Sequence, residues 1–151
     1  SINTAAIYNE NLIKKASDKF GSQCIVVAVD AKKHNDDWFV YSHGGRKNTK
    51  INVFSWLEKL QILGAGEILL TSMDADGTKN GFDLELLKKS TNILQIPLIA
   101  SGGVGELSHF EDGVIKGGAS GLLAASVFHF AKFSIKEVKE YLNQKKILVR
   151  L

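Results

Sequence analysis

The sequence predicts an α/β fold of parallel strands joined by helical crossovers. Three observations carry that reading. Short, continuous, β-branched apolar runs alternate with longer segments of helical periodicity. The connections between them are short. Glycines and polar caps stand where each helix should start or stop.

Residues 9–20 place Leu12, Ile13, Ala16 and Phe20 at helical spacing, and Gly21 follows as a stop. The run 24–32, CIVVAVDAK, reads as a strand buried on both faces. Cys24 is read as a small buried side chain. Residues 37–42 read as one arm of a hairpin, and GGRKNT, 44–49, as a flexible polar loop. A helix follows with Val53, Trp56, Leu57, Leu60 and Leu63 on one face and Gly64 as its stop. Residues 66–73 are the next buried strand. Asp83 caps a helix running toward Leu94. Residues 96–101 form a strand, 106–118 hold a helix closed by Gly117 or Gly118, and 120–126 form a strand. The last helix opens with a capping box from Ser134 to Glu137.

Strict alternation of this kind requires crossovers between parallel strands. An open doubly wound sheet and half of an eight-stranded barrel both satisfy it. The 151 residues suffice for one domain with a core. Hydrophobic residues at 44% and charged residues at 23% are ordinary for a globular chain. The net charge of +3, with no basic cluster interleaved with aromatics, speaks against nucleic acid. No apolar run approaches the ~18 residues of a membrane span, and no signal peptide is visible, so a cytoplasmic location is expected. One cysteine allows no internal disulfide. Ser1 stands where a start methionine is usual, so the start is read as processed or as lying within a longer chain.

Reactive groups of parallel α/β folds gather at the C-terminal ends of strands. The first strand ends in Asp30, an acid closing an apolar run and suited to general acid–base work. The second ends in TSMDADGTKNG, residues 71–81. Asp74 and Asp76 resemble the start of a calcium loop, but the later acid and the glycine offset are absent. A turn exposing backbone N–H groups and Asp76 is the preferred reading. The third ends in Ser101-Gly102-Gly103, where a glycine-rich turn admits a phosphate. The fourth ends in Ala124-Ala125-Ser126, followed by VFHF, which suits a short extra helix. His34, His43, His109 and His129 lack zinc spacing, and no glycine fingerprint for a dinucleotide follows a strand. No metal and no cofactor are expected.

These segments, in order, carry a resemblance. CIVVAVDAK, GRKNT, GAGEILLTSMDADGTKNGFD, PLIASGGVG and LLAASVFHF resemble the cyclase subunits of imidazole glycerol phosphate synthase, essentially from Ser1 to Leu151. The related phosphoribosylformimino isomerases share the phosphate loops and the DGT-like turn, while ASVFHF and GRKNT favour the cyclases.

The resemblance implies a (β/α)₈ barrel, with SINT ending strand 4 and the later parallel strands as 5 to 8. Residues 1–151 then form a single half-barrel domain, the C-terminal half. It implies that ammonia from a separate glutaminase subunit attacks a bis-phosphorylated ribulosyl-formimino substrate, giving imidazole glycerol phosphate and aminoimidazole carboxamide ribotide. Asp30 matches one of two catalytic carboxylates. Gly77, Ser101, Gly102, Gly103, Ala125 and Ser126 match one phosphate site, and Asn3 and Thr4 match part of the other. Thr71 and Asp76 match polar groups near the reacting atoms. Glu67 matches a charged ring at the ammonia entrance. The departure is that strands 1 to 3, and with them the second carboxylate, have no counterpart here. The chain alone is expected to turn over poorly. Half a barrel is expected to expose two sheet edges and an apolar face, with Val27, Ile99, Leu122 and Phe130 as candidates either for that face or for the helix side, and to pair with an N-terminal half or a second copy.

Overall fold

The computed structural model describes residues 1–150. The elements run α1 (Thr4–Tyr8), α2 (Asn11–Phe20), a 3₁₀ turn (Ser22–Cys24), β1 (Val26–His34), β2 (Asp37–Ser42), β3 (Lys47–Asn52), α3 (Val53–Ile62), β4 (Glu67–Ser72), α4 (Leu84–Ile93), β5 (Leu98–Ser101), α5 (Leu107–Ile115), β6 (Gly121–Leu123), α6 (Ser126–His129) and α7 (Ile135–Gln144). One six-stranded sheet has the order β3-β2-β1-β4-β5-β6. The pairs β1–β4, β4–β5 and β5–β6 are parallel, as the alternation requires. The whole is consistent with part of a (β/α) barrel. No helix among the described residues is long and apolar enough to cross a membrane.

The sheet is not wholly parallel, which corrects the expectation for residues 44–49. β2 and β3 form an antiparallel hairpin that joins the far end of β1. The segment read as a flexible loop becomes an edge strand from Lys47 onward. Edge strands tolerate polar residues on both faces, and lysines there discourage further pairing. Thr49 Oγ1 also donates to the Val40 carbonyl at 2.7 Å, beside a register shift between Phe39 and Tyr41. Polarity was therefore a poor guide to pairing here.

Three further expectations change. Cys24 is exposed, because the 3₁₀ turn keeps it outside the strand. The last strand covers only Gly121–Leu123, since the chain has already turned into α6 at Ala125, with φ −111° and ψ −66°. α1 was not anticipated; five residues without a side-chain cap are too few to show a period. Ile2 does pair in parallel with Val27, as the end of a neighbouring strand would.

The strands divide cleanly by face. Val27, Val29, Ala31, Ile68, Leu70, Ser72, Leu98 and Ala100 are buried beneath the helices. Val53, Trp56, Leu57 and Leu60 meet them from α3, and Leu86 and Leu87 from α4. Alternate residues turn the other way. Of the four residues left open between the two faces, Ile99 lies on the face turned away from the helices. Val27 is fully buried, Leu122 packs against Gly113 of α5, and Phe130 lies exposed beyond α6.

Asp83 ties three of these pieces together. Its Oδ1 accepts from Leu86 N at 3.0 Å and caps α4. Its Oδ2 accepts from Trp38 Nε1 at 3.1 Å and from Ser72 Oγ at 3.2 Å. Trp38 itself is fully buried, under the ammonium groups of Lys33 and Lys89 at 4.4 and 4.9 Å from the ring centre. Glu85 bonds both lysines. Asp83→Ala removes a cap and strands two buried donors. It should cost about 2–4 kcal/mol, read from urea unfolding followed by Trp emission. A loss under about 0.5 kcal/mol, the range of an ordinary surface change, would show that the carboxylate does not join these elements.

Candidate functional site

Register places the strand-end residues in one row. Asp30 pairs with Thr71, Thr71 with Ser101, and Ser101 with Leu123. All belong to the alternate set that turns away from the helices. Below this row lies an apolar one of Ala28, Leu69, Ile99 and Gly121. Below that, Val26 pairs with Glu67. Glu67 therefore shares a face with Asp30 but sits four residues lower, about 13 Å along the strands.

Asn3 Nδ2 donates to Asp30 Oδ2 at 3.1 Å, while Asn3 Oδ1 is buried with no partner. Thr4 Oγ1 accepts from the His43 amide at 2.9 Å. Lys47 Nζ donates to Tyr8 Oη at 3.3 Å. Hydrogen bonds with Ser42 and Lys47 hold the Tyr8 phenol below its usual range. Asn3 thus orients the Asp30 carboxylate, and Thr4 and Tyr8 fasten the β2–β3 turn over the same end of β1. None of these three contacts was legible from sequence, because they link residues 27 to 39 positions apart.

A second group forms at the other side of the sheet. Gly77, Ser101, Gly102, Gly103, Ala125 and Ser126 line one cleft, together with Lys79. The sequence reading brought the first six together and missed Lys79, whose only signal was its place inside the 71–81 turn. No acceptor among the described residues engages the amides of Gly77, Gly103 or Ser126. Such free N–H groups in a glycine-rich concavity suit an anion.

The glycines here also decide how the turns pack on one another. A Cβ on Gly103 would collide with the Gly81 carbonyl oxygen, and one on Gly105 with that of Lys79. A Cβ on Gly102 would stand 2.8 Å from the Ser72 carbonyl oxygen. Gly81 N donates to the Gly103 carbonyl at 2.8 Å. The turn after β4 and the turn after β5 are thus packed backbone on backbone. Gly77 differs: it has open space around it and needs only its positive φ of 78°.

Lys132, also missed, braces the cleft from outside. Its Nζ donates to the Gly105 carbonyl and to Glu106 Oε1, both at 2.7 Å. It thereby joins the turn after β5 to the segment after α6. His109 Nδ1 accepts from the amides of Gly105 and Glu106 at the start of α5. Asp74 accepts from the Lys33 amide at 2.7 Å and so serves the loop itself. Asp76 is exposed on the turn above Gly102. Among the described residues no group of three His, Cys, Asp or Glu side chains gathers to hold a metal.

Residues 1–134 match the model of a family described as histidine biosynthesis protein. That is well over half of the chain, and the chain belongs to this family. Its members are enzymes of histidine biosynthesis.

The brace at Glu106 carries a pH signature. The hydrogen bond from Lys132 holds the Glu106 carboxyl below the ordinary carboxylate range. A lowered folded pKa stabilises the fold above the unfolded value and ceases to do so as pH falls through the folded value. Stability should therefore fall between about pH 5 and pH 3 less steeply in Lys132→Met than in the unaltered chain. Denaturant midpoints across that range are the check; parallel curves would show that the pair contributes nothing.

Proposed function

We propose that this member of the histidine biosynthesis family is the C-terminal half barrel, βα units 5 to 8, of a cyclase subunit of imidazole glycerol phosphate synthase. The observation that carries the reading is Asp30. It is an acid near the end of the stretch of β1 that pairs in parallel with β4, inside a strand that runs on to His34 rather than ending at Asp30; Asn3 orients it, and it stands in one row with Thr71 and Ser101. The ASVFHF and GRKNT segments favour the cyclase over the isomerase.

In this reading Asp30 moves a proton during ring closure, after ammonia from a glutaminase subunit has attacked the formimino carbon. A second carboxylate, from outside residues 1–151, takes the complementary role, since one group must donate while the other accepts. Thr71 and Asp76 hold polar groups of the substrate near the reacting atoms. The cleft of Ser101, Gly102, Gly103, Gly77, Ala125 and Ser126 holds one phosphate, and Asn3 and Thr4 face the other. Glu67 stands at the opposite end of the strands, where ammonia would enter past Ala28 and Leu69. The reading makes this a cytoplasmic enzyme working on a bis-phosphorylated small molecule. The second carboxylate comes with an N-terminal half barrel, and the apolar row facing away from the helices gives a second copy of the chain a surface to cover in its place.

The test combines this chain with the four preceding βα units of such a barrel and measures ammonia-dependent cyclisation. Activity should require both parts. Asp30→Asn should lower it by 10²-fold or more, about the contribution of a positioned acid or base. Turnover of the unisomerised formimino substrate without ammonia would assign the isomerase instead. No turnover from a folded, associated pair would leave a phosphate-binding module that pairs with itself.

A further inference from the structure

We propose that Lys79 supplies the positive charge of the cleft between the turns after β4, β5 and β6, and that it selects a doubly charged phosphate monoester there. The inference rests on the reading of that cleft as a phosphate site and adds the group that sets its charge.

The argument is one of missing charge. Gly77, Ser101, Gly102, Gly103, Ala125 and Ser126 offer amides and hydroxyls but no ionised group. Backbone dipoles alone accept many anions, including singly charged ones. Asp76 makes matters worse for a dianion. Its Cβ stands only 3.3 Å from where a Cβ on Gly102 would be, which puts an acidic residue on the turn next to the cleft. A dianion next to that carboxylate needs a nearby cation.

Two lysines lie close enough in the fold to be considered. Lys132 is engaged by Glu106 and the Gly105 carbonyl, so its charge is already matched. Lys79 lines the cleft itself, and no ion pair among the described residues uses it. Its backbone is held at φ 62°, a region that costs an L-residue energy and usually goes to glycine or asparagine. The turn is locked there by Gly105 packing on the Lys79 carbonyl and by the bond from the Asn80 amide to Thr78 Oγ1. A lysine unpaired among the described residues at the mouth of a cradle that carries no charge of its own fits a ligand-binding role.

Calorimetric titration of the chain with inorganic phosphate tests this. Lys79→Met should weaken binding about tenfold, the scale of one charge-assisted hydrogen bond, and should flatten its dependence on salt. Lys79→Arg should retain most of the affinity. Lys50→Met is the matched control: it is another exposed lysine at positive φ, 63°, but on the remote hairpin, and it should bind as the unaltered chain does. Ala125→Phe fills the cleft and should abolish binding, with circular dichroism checking that each variant is folded. If Ala125→Phe abolishes binding while Lys79→Met leaves it intact, the role of Lys79 is overturned and the cleft stands. If the unaltered chain binds no phosphate at millimolar levels, the phosphate reading and the lysine fall together.

Discussion

The Asp83 carboxylate is the contact on which the rest of this arrangement depends. The hairpin β2–β3 packs on the sheet through Trp38, the 71–81 turn leaves β4 through Ser72, and the first turn of α4 offers the Leu86 amide. One carboxylate accepts from all three. Each donor alone could be satisfied by water if it were exposed. Trp38 and Ser72 are buried, so their protons need a protein acceptor. The 71–81 turn therefore leaves the sheet and returns to α4 through one fixed point. Everything that turn presents, Asp76, Gly77 and Lys79 included, inherits its position from there.

From that point close backbone contact joins the neighbouring turns, alongside side-chain packing. Gly102, Gly103 and Gly105 allow the turn after β5 to lie directly on the turn after β4. Lys132 then draws the segment after α6 onto the same turn. Three successive strand-end loops are thereby joined to one another, each also sending one side chain, Phe82, Val104 or Val127, into the core. A rim built this way keeps its amides at the surface for a ligand, which a rim of packed apolar side chains would cover. Preorganised amides cost no reorganisation when an anion arrives. The same glycines thus hold the turns together and leave their amides open, and the sequence motif alone does not separate the two effects.

The parallel strands, the helices with Asp83 and Ser134 as caps, and the short helix at VFHF were legible in sequence because each rests on local rules. Apolar periodicity, cap chemistry and small-residue turns act over a few residues. What sequence did not reveal acts across the chain. The Asn3–Asp30 bond spans 27 positions, and the Lys132 brace reaches 27 positions back to Gly105. β3 was misread because its residues are polar, and an edge strand asks only for a partner on one side. Cys24 was misread because an apolar run does not announce where its strand begins. Asp30, by contrast, stood out locally: an acid closing the run VVAV has few structural reasons to be there.

The two margins of the sheet differ in a way that bears on what can join it. The β3 edge carries Lys47 and Lys50 and a register shift, all of which oppose another strand. The β6 edge is three residues long, unshielded by lysine, and ends at Leu123, 41% exposed. On the other side, β1 is covered in two sections. Its upper part pairs with β2, while its lower part pairs only with Ile2, in parallel. A parallel strand ending at Ile2 would continue down that lower edge without displacing the hairpin. New strands therefore have room at the free edge of β6 and along lower β1, and these are the two margins that a closed barrel would have to join. The hairpin does not block closure; it occupies the rim, above the point where a neighbouring strand would end. The antiparallel β2–β3 hairpin thus leaves both of these margins free.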